Sequence, residues 1–393
     1  MYRLASSTWG TEEIDKANEL FKTGQLTMGA KVKHFESIFA TYIGTKYGVM
    51  FNSGSSANLA IFTALKYVQN SSLQDGDNVI VPAVSWSTTF YPITQNGYVL
   101  NFVDVELGSL NLDVDKVEAA INSKTKAIFA VNLLGNPAKL IELKQLAQRY
   151  NLILLEDNCE SLGASILSQR TGSFGLASSH SFFFSHHIST MEGGLVCTNS
   201  KELMETLVSL RAHGWTRGLE SENSVRPHSD DPWENLYTFV LPGYNLRPTE
   251  LSAVIGFEQL KKFPSFLLKR KSNAEHFKML FKDSENYQIQ DENGESSWFG
   301  FSIILQKKLS GMRKEVITVL ESNGVETRPI VAGNFTVNPV MKHLPHLPLP
   351  NLPVAHKIHA DGFFIGNHHF DTTEDLKLVY SLLKDFEDSI QQD

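Results

Sequence analysis

LILLEDNCES, residues 152–161, joins a short apolar run to an abrupt acidic end. A run of this length suits a strand buried on both faces better than a helix. VIV at 79–81 and AIFAV at 127–131 have the same character, and amphipathic stretches separate the three. This alternation, from about residue 48 to 200, predicts an α/β unit on a largely parallel sheet flanked by helices. In such sheets ligands collect beyond the carboxyl ends of the strands. Asp157 closes the LILLED strand at that end, and the loop around Trp86, which follows VIV, falls beside it.

The 393 residues suffice for one large domain with a smaller companion, and 42% hydrophobic content is ordinary for a globular enzyme. Net charge is −8, from 35 basic and 43 acidic residues, which argues against a nucleic-acid partner. Two cysteines, Cys159 and Cys197, cannot build a disulfide framework, and no Cys/His spacing suggests a metal site. A reduced, cytoplasmic setting is expected. The N-terminus lacks an apolar signal core and no run approaches bilayer length, so neither secretion nor a membrane partner is expected.

A large domain is expected over residues 1–250, its N-terminal segment packing with a smaller α+β domain over 251–393. Within the first, Ile61, Ala64, Leu65 and Val68 mark one face of a helix that follows NSGSSAN. The polar stretch 216–236 has no apolar period and reads as a long surface or active-site loop. A helix is expected near 249–262, a strand in SSWFGFSIIL at 296–305, and an extended connection in HLPHLPLPNLP at 343–353.

SGSSAN at 53–58 opens directly onto a helix, where the N–H groups of Gly54, Ser55 and Ser56 and the helix dipole suit a phosphate. Simple N-capping is the plainer alternative. Asp157 is placed to meet a protonated heterocyclic nitrogen, or else only caps a loop. Trp86 suits stacking on a flat ring, or is a core tryptophan. Ser181 offers a hydroxyl, or bonds its own backbone.

Taken in order, SGSSAN, VPAVSWSTTF, VNLLGNP, LLEDNCES, SFFFSHHISTMEGG, RAHGW and GYNLRP resemble the sugar-nucleotide aminotransferase family (DegT/DnrJ/EryC1/StrS) of fold-type I pyridoxal-phosphate enzymes, over most of the chain. The resemblance implies an aspartate-aminotransferase-like large domain that binds pyridoxal 5'-phosphate. Members usually read Ser-Phe, three more residues, then the lysine that holds the cofactor, with Glu-Gly-Gly or Asp-Gly-Gly soon after. Counting back from Glu192-Gly193-Gly194 puts His186, not His187, at the lysine position. Imidazole has no primary amine, so it cannot hold the aldehyde covalently, yet it moves protons near neutral pH.

A subgroup of the family shares this histidine and removes the C3 hydroxyl of nucleotide-linked 4-keto-6-deoxy sugars. SHHISTMEGG, RAHGWTR, GESSWFGF, RPIVAGNF and FIGNHH resemble the members acting on GDP-4-keto-6-deoxy-D-mannose, on the way to a dideoxy sugar such as colitose for bacterial surface polysaccharide. A CDP-sugar branch with the same histidine carries an iron–sulfur cluster, which two cysteines cannot ligate. The resemblance implies non-covalent pyridoxal 5'-phosphate, converted by L-glutamate to pyridoxamine 5'-phosphate, with release of 2-oxoglutarate and ammonia. His186 would be the catalytic base. Ser55, Ser56 and Ser181 would hold the phosphate, Trp86 the ring face, Asp157 the ring nitrogen, and Glu160 would lie near the ring oxygen. Asn245 would reach the partner's phosphate across a homodimer with a shared active site. His213, Arg217 and Arg328 would contact the nucleotide sugar. An aminotransferase, a 3-dehydratase for another nucleotide sugar and a non-catalytic sugar-nucleotide binder are the alternatives.

Overall fold

Seven strands build the central sheet of the computed structural model, which describes residues 1–69, 73–220, 222–226 and 229–390. They are β1 (Tyr47–Phe51), β2 (Asn78–Pro82), β3 (Val99–Val103), β4 (Thr125–Val131), β5 (Ile153–Asp157) and, after a small hairpin of β6 (Ser165–Ile166) and β7 (Gln169–Arg170), β8 (Ala177–Ser181) and β9 (Gly194–Thr198). Their spatial order is β1-β9-β8-β5-β4-β2-β3. The pairs β2–β3, β2–β4, β4–β5 and β5–β8 are parallel, whereas β9 runs antiparallel to β8 and β1. The largely parallel α/β sheet expected from the apolar runs is therefore present.

Period-two alternation divides each run between two cores. Val79, Val81, Phe129 and Leu155 join the side that holds Ala57, Ile61 and Phe90. Ile80, Ile128, Ala130 and Leu154 join the opposite side, against Leu140, Leu143 and Leu146. With both faces covered by helices, the strands have no polar face, which is why their sequences are apolar throughout. The helix Gly54–Ala64 lies deep in the first of these cores, with Ala57, Ala60, Ile61, Phe62 and Ala64 all buried.

A second, antiparallel sheet has the order β10-β11-β12, from β10 (Tyr287–Ile289), β11 (Gly300–Leu305) and β12 (Gly362–Gly366). Its core collects Phe277, Phe281, Phe301, Ile303, Leu320, Val379 and Leu383, and Tyr2 from the N-terminus. Tyr2 pairs with Val325, through Tyr2 N–H to the Gly324 carbonyl (2.8 Å) and Glu326 N–H to the Tyr2 carbonyl (2.9 Å).

Three local expectations change. The helix expected near 249–262 is Glu250–Phe281, 32 residues long, and it runs through Pro264. Buried Phe263 and Phe266 on one side and Phe277 and Phe281 further along outweigh the ladder donor that proline lacks. The stretch 216–236 is a loop only in part, since Pro232–Tyr237 is a short helix with Asp231 as N-cap and Pro232 in its first turn. Residues 221, 227 and 228 of that stretch lie outside the described residues. In SSWFGFSIIL only Gly300–Leu305 is strand; Trp298 takes a left-handed φ of 50° that interrupts it. Among the described residues no helix is long and apolar enough to cross a membrane.

Candidate active site

The carboxyl ends of β5 and β8, the loops after β1, β2 and β4, and the segment before β12 surround a cavity of about 600 Å³. Its wall includes Gly54, Ser55, Trp86, Asp157, Glu160, Ser181, His186 and Arg328. Among the described residues no lysine lines it.

Two close approaches shape the end nearest the helix Gly54–Ala64. A β-carbon on Gly54 would stand 2.6 Å from Ser181 Cβ, and one on Gly194 would stand 2.2 Å from the Ser53 carbonyl oxygen. Both positions require glycine, and together they let the helix N-terminus and the end of β8 meet. Ser53 caps that helix by accepting the Ser56 N–H at 3.1 Å. Ser53 also donates its hydroxyl to Ser56 Oγ, 3.0 Å away. Ser56 is thus engaged in the cap, and it is Ser55 and Ser181 that line the cavity.

Asp157 and Glu156 are neighbours on β5, and strand alternation sends them apart. Glu156 is fully buried and accepts N–H bonds from Gly172, Phe174 and Gly175 at 2.7–2.9 Å. Asp157 lines the cavity, with Oδ2 accepting from Asn58 Nδ2 (3.1 Å) and Thr89 Oγ1 (2.9 Å). Thr89 is itself bonded to Ser85 at 2.8 Å. Sequence reasoning missed Asn58 and Thr89, although each sits inside a motif already singled out. Asn58 is the last residue of SGSSAN, and Thr89 follows Trp86 by three, one helical turn on. Trp86 is 55% exposed, an indole at the cavity wall and not in the core.

Glu160 accepts the Leu134 N–H at 2.9 Å. Burial pushes its carboxyl up to about 7, opposed by that hydrogen bond and assisted by the charge of Asp157.

The two adjacent histidines part in the same way as the two acids. His186 lines the cavity, its ring 5.3 Å from that of Phe299. His187 is 1% exposed and turns into the core, where Nε2 meets the Ser297 carbonyl at 3.2 Å. Burial lowers the His186 imidazole to about 4, and the positive charge of Arg270 acts in the same direction. His186 Nδ1 is buried with no hydrogen-bond partner, which leaves Nε2 as the nitrogen free for cavity chemistry.

Three candidates are not brought to this cavity by their own chain. His213, Arg217 and Asn245 are exposed and lie on one surface segment, tied by the Ala212–Asn245 bridge and by His213 N–H to the Tyr244 carbonyl (2.6 Å). Arg217 lies over the Trp215 ring at 5.2 Å, and Asn245 Oδ1 accepts from Arg247. Arg328 does reach the cavity, its backbone paired with Phe364. No cluster of metal-ligating side chains occurs among the described residues.

The chain is 46% identical over 385 residues to the GDP-4-keto-6-deoxy-D-mannose 3-dehydratase of Yersinia pseudotuberculosis, with 98% of each chain covered. The structure resembles the E. coli GDP-4-keto-6-deoxy-D-mannose-3-dehydratase with bound hydrated PLP, at a TM-score of 0.95 and 45% identity, covering 98% of this chain and 99% of that one. It resembles equally a GDP-4-keto-6-deoxymannose-3-dehydratase with a trapped PLP-glutamate geminal diamine, at TM-score 0.95, 45% identity and 98% and 100% coverage. Residues 8–384 match the DegT/DnrJ/EryC1/StrS aminotransferase family, and the chain belongs to that family.

Proposed function

We propose that this chain is a pyridoxal-phosphate-dependent hydro-lyase that removes the C3 hydroxyl of GDP-4-keto-6-deoxy-D-mannose, with L-glutamate as amino donor. The observation that carries the reading is an imidazole, His186, on the wall of a cavity that has no lysine among its described lining residues, in a chain 46% identical along its length to a dehydratase of that name. The products are the GDP-linked 4-keto-3,6-dideoxy sugar, 2-oxoglutarate and ammonia.

The residues present fit the cofactor. Glycine at positions 54 and 194 lets the N-terminus of the helix Gly54–Ala64 meet the ends of β8 and β9 at the cavity wall, and His186 Nδ1 is buried without a partner. Ser55, Ser181 and the helix N-terminus that Ser56 helps to cap would hold the phosphate. Asp157 would hold a positive charge on the ring nitrogen, Trp86 would cover a ring face, and Glu160 would face the ring oxygen. Bound there, the cofactor supplies an amine for the sugar ketone and a conjugated ring that takes up an electron pair.

Asp157, oriented by Asn58 and Thr89, keeps its carboxylate turned to the cavity. His186, neutral near pH 7, accepts a proton at Nε2 and, once protonated, returns it to the departing C3 hydroxyl. With no amine at position 186, nothing displaces the product by exchange, and release is left to water. Arg328 contacts the nucleotide sugar. His213, Arg217 and Asn245, which do not line their own cavity, serve the site of a second copy in a homodimer. The chain divides into a large cofactor-binding domain, 1–250, and a small one, 251–393, and acts in the cytoplasm on a precursor of surface polysaccharide.

The test is incubation with GDP-4-keto-6-deoxy-D-mannose, glutamate and pyridoxal phosphate, followed by mass spectrometry. A 3-deoxy ketone with ammonia supports the reading. An amino sugar, or no conversion, overturns it.

A further inference from the structure

Behind the cavity wall lies a cation whose partners are unusual. Arg270, on the helix Glu250–Phe281, is 5% exposed, and its Nη1 donates to backbone carbonyls, those of Phe299 (3.1 Å) and Asn367 (2.9 Å), with Trp298 at the limit (3.5 Å). Its Nε is buried without a partner. A buried charge held by carbonyls alone is poorly compensated, so its retention calls for a use beyond stability.

The carbonyls it grips belong to a strained turn. Trp298 is 2% exposed and has φ of 50°, a conformation that bulky residues avoid. The turn is pressed onto the loop after β4: a β-carbon on Gly135 would stand 2.6 Å from Trp298 N. Ser297 N–H donates to the Gly135 carbonyl and Phe299 N–H to the Leu134 carbonyl, each at 2.9 Å. The turn touches two titratable groups, and the loop it is pressed onto holds a third. The Ser297 carbonyl meets His187 and the Phe299 ring supports His186, while Leu134 N–H, in the loop after β4, holds Glu160.

We propose that Arg270 is a positioning residue for His186: it pins the Ser297–Phe299 turn on which the imidazole rests and sets a permanent cation behind that imidazole. This rests on the reading of His186 as the proton-transfer group. Burial is the first cause of the lowered value of about 4, and the cation adds to it by disfavouring a second positive charge nearby, so His186 stays neutral and able to accept a proton in the resting protein. Other charges face the same cavity: Asp157 and Glu160 from the end of β5, Glu192 ahead of β9, and Glu326 and Arg328 ahead of β12, with His187 adjacent. The four carboxylates favour the imidazolium when ionised, and Arg270 and Arg328 oppose it.

Nuclear magnetic resonance titration of the imidazoles in the full chain, with His186 assigned by its disappearance in His186→Asn, reads this directly and needs no turnover. Arg270→Gln is expected to raise the His186 midpoint toward the ordinary value of about 6.5, whereas Arg270→Lys keeps the charge and holds the midpoint low. An unchanged midpoint in folded Arg270→Gln overturns the proposal. Should that variant fail to fold, Phe299→Leu and Arg270→Lys decide: a lowered kcat at unchanged KM and melting temperature supports positioning, and wild-type kcat in both overturns it. If His186→Asn turns over normally while Arg270→Gln still shifts the midpoint, the catalytic reading of His186 fails and the electrostatic link stands.

Discussion

At the scale of single residues, two adjacent pairs show how little chemistry a motif reveals until its side chains are oriented. Glu156–Asp157 and His186–His187 each send one member to the cavity and one to the core. For the acids the strand period of two anticipates the split, and counting from Glu192-Gly193-Gly194 selected the histidine that lines the cavity. His186→Asn should retain pyridoxal phosphate on dialysis and lose dehydration by roughly 10²–10⁴-fold, the usual contribution of a positioned proton-transfer group. Near-normal turnover would assign the base elsewhere. Its pH profile follows from the direction of the shift: a base with its value lowered to about 4 is neutral above that pH, so kcat/KM should fall only as pH drops through the region of 4. Any limb near pH 7 belongs to Glu160, pushed up to about 7, and should vanish in Glu160→Gln.

Elements set the distances between these groups. Six strands of one direction end on one side, which brings Asp157 and Ser181 beside the loop that carries Trp86, and β9 returns antiparallel so that Gly194 passes the Ser53 carbonyl. Backbone atoms block a side chain there, and backbone yields less readily than a flexible side-chain end. Gly194→Ala should therefore destabilise the protein by about 1–3 kcal/mol, the usual range for overpacking, and weaken phosphate-anchored cofactor binding in proportion. Urea unfolding and cofactor titration measure the two effects, and unchanged values in both would show that the helix and β9 are not held at contact. The strands and the helix start were legible from apolar runs and turn residues. The reach of Glu250–Phe281 was not, because Pro264 marks a local stop that burial along the helix overrides.

Across the whole molecule, two consequences are measurable. His213, Arg217 and Asn245 are exposed and do not line their own cavity, and the shared homodimeric site proposed above predicts complementation. Mixed His186→Asn and Asn245→Ala chains should regain about a quarter of wild-type activity after random reassortment, since half the dimers are hybrids with one intact site of two. No recovery in proven mixed dimers would confine the site to one chain. Acid should also loosen the fold. Burial lowers His180 to about 3 and His186 and His368 to about 4, and it holds His187 well below its ordinary value. Each lowered group contributes stability that is complete above its unfolded value near 6.5 and lost as pH falls toward its folded value, at up to about 1.4 kcal/mol per pH unit. Glu160 and Glu156, both raised, oppose this, because their contribution grows as pH falls. Four histidines against two carboxylates predict a melting temperature that drops between pH 6.5 and 4.5; a level melting curve over that window would refute the balance.

What the chain's one-dimensional pattern settled was local and periodic: apolar runs that must be strands, a glycine-serine turn that must start a helix, and an imidazole at the position where the family carries an amine. Those follow from period, turn chemistry and the absence of a primary amine, none of which needs distant contacts. Tertiary structure decided which of two neighbours faces the cavity, that Asn58 and Thr89 orient Asp157, that His213, Arg217 and Asn245 lie outside the chain's own site, and that a buried Arg270 stands behind the imidazole. Those relations join residues up to about a hundred positions apart, and burial and electrostatics depend on proximity in space, which sequence separation does not encode.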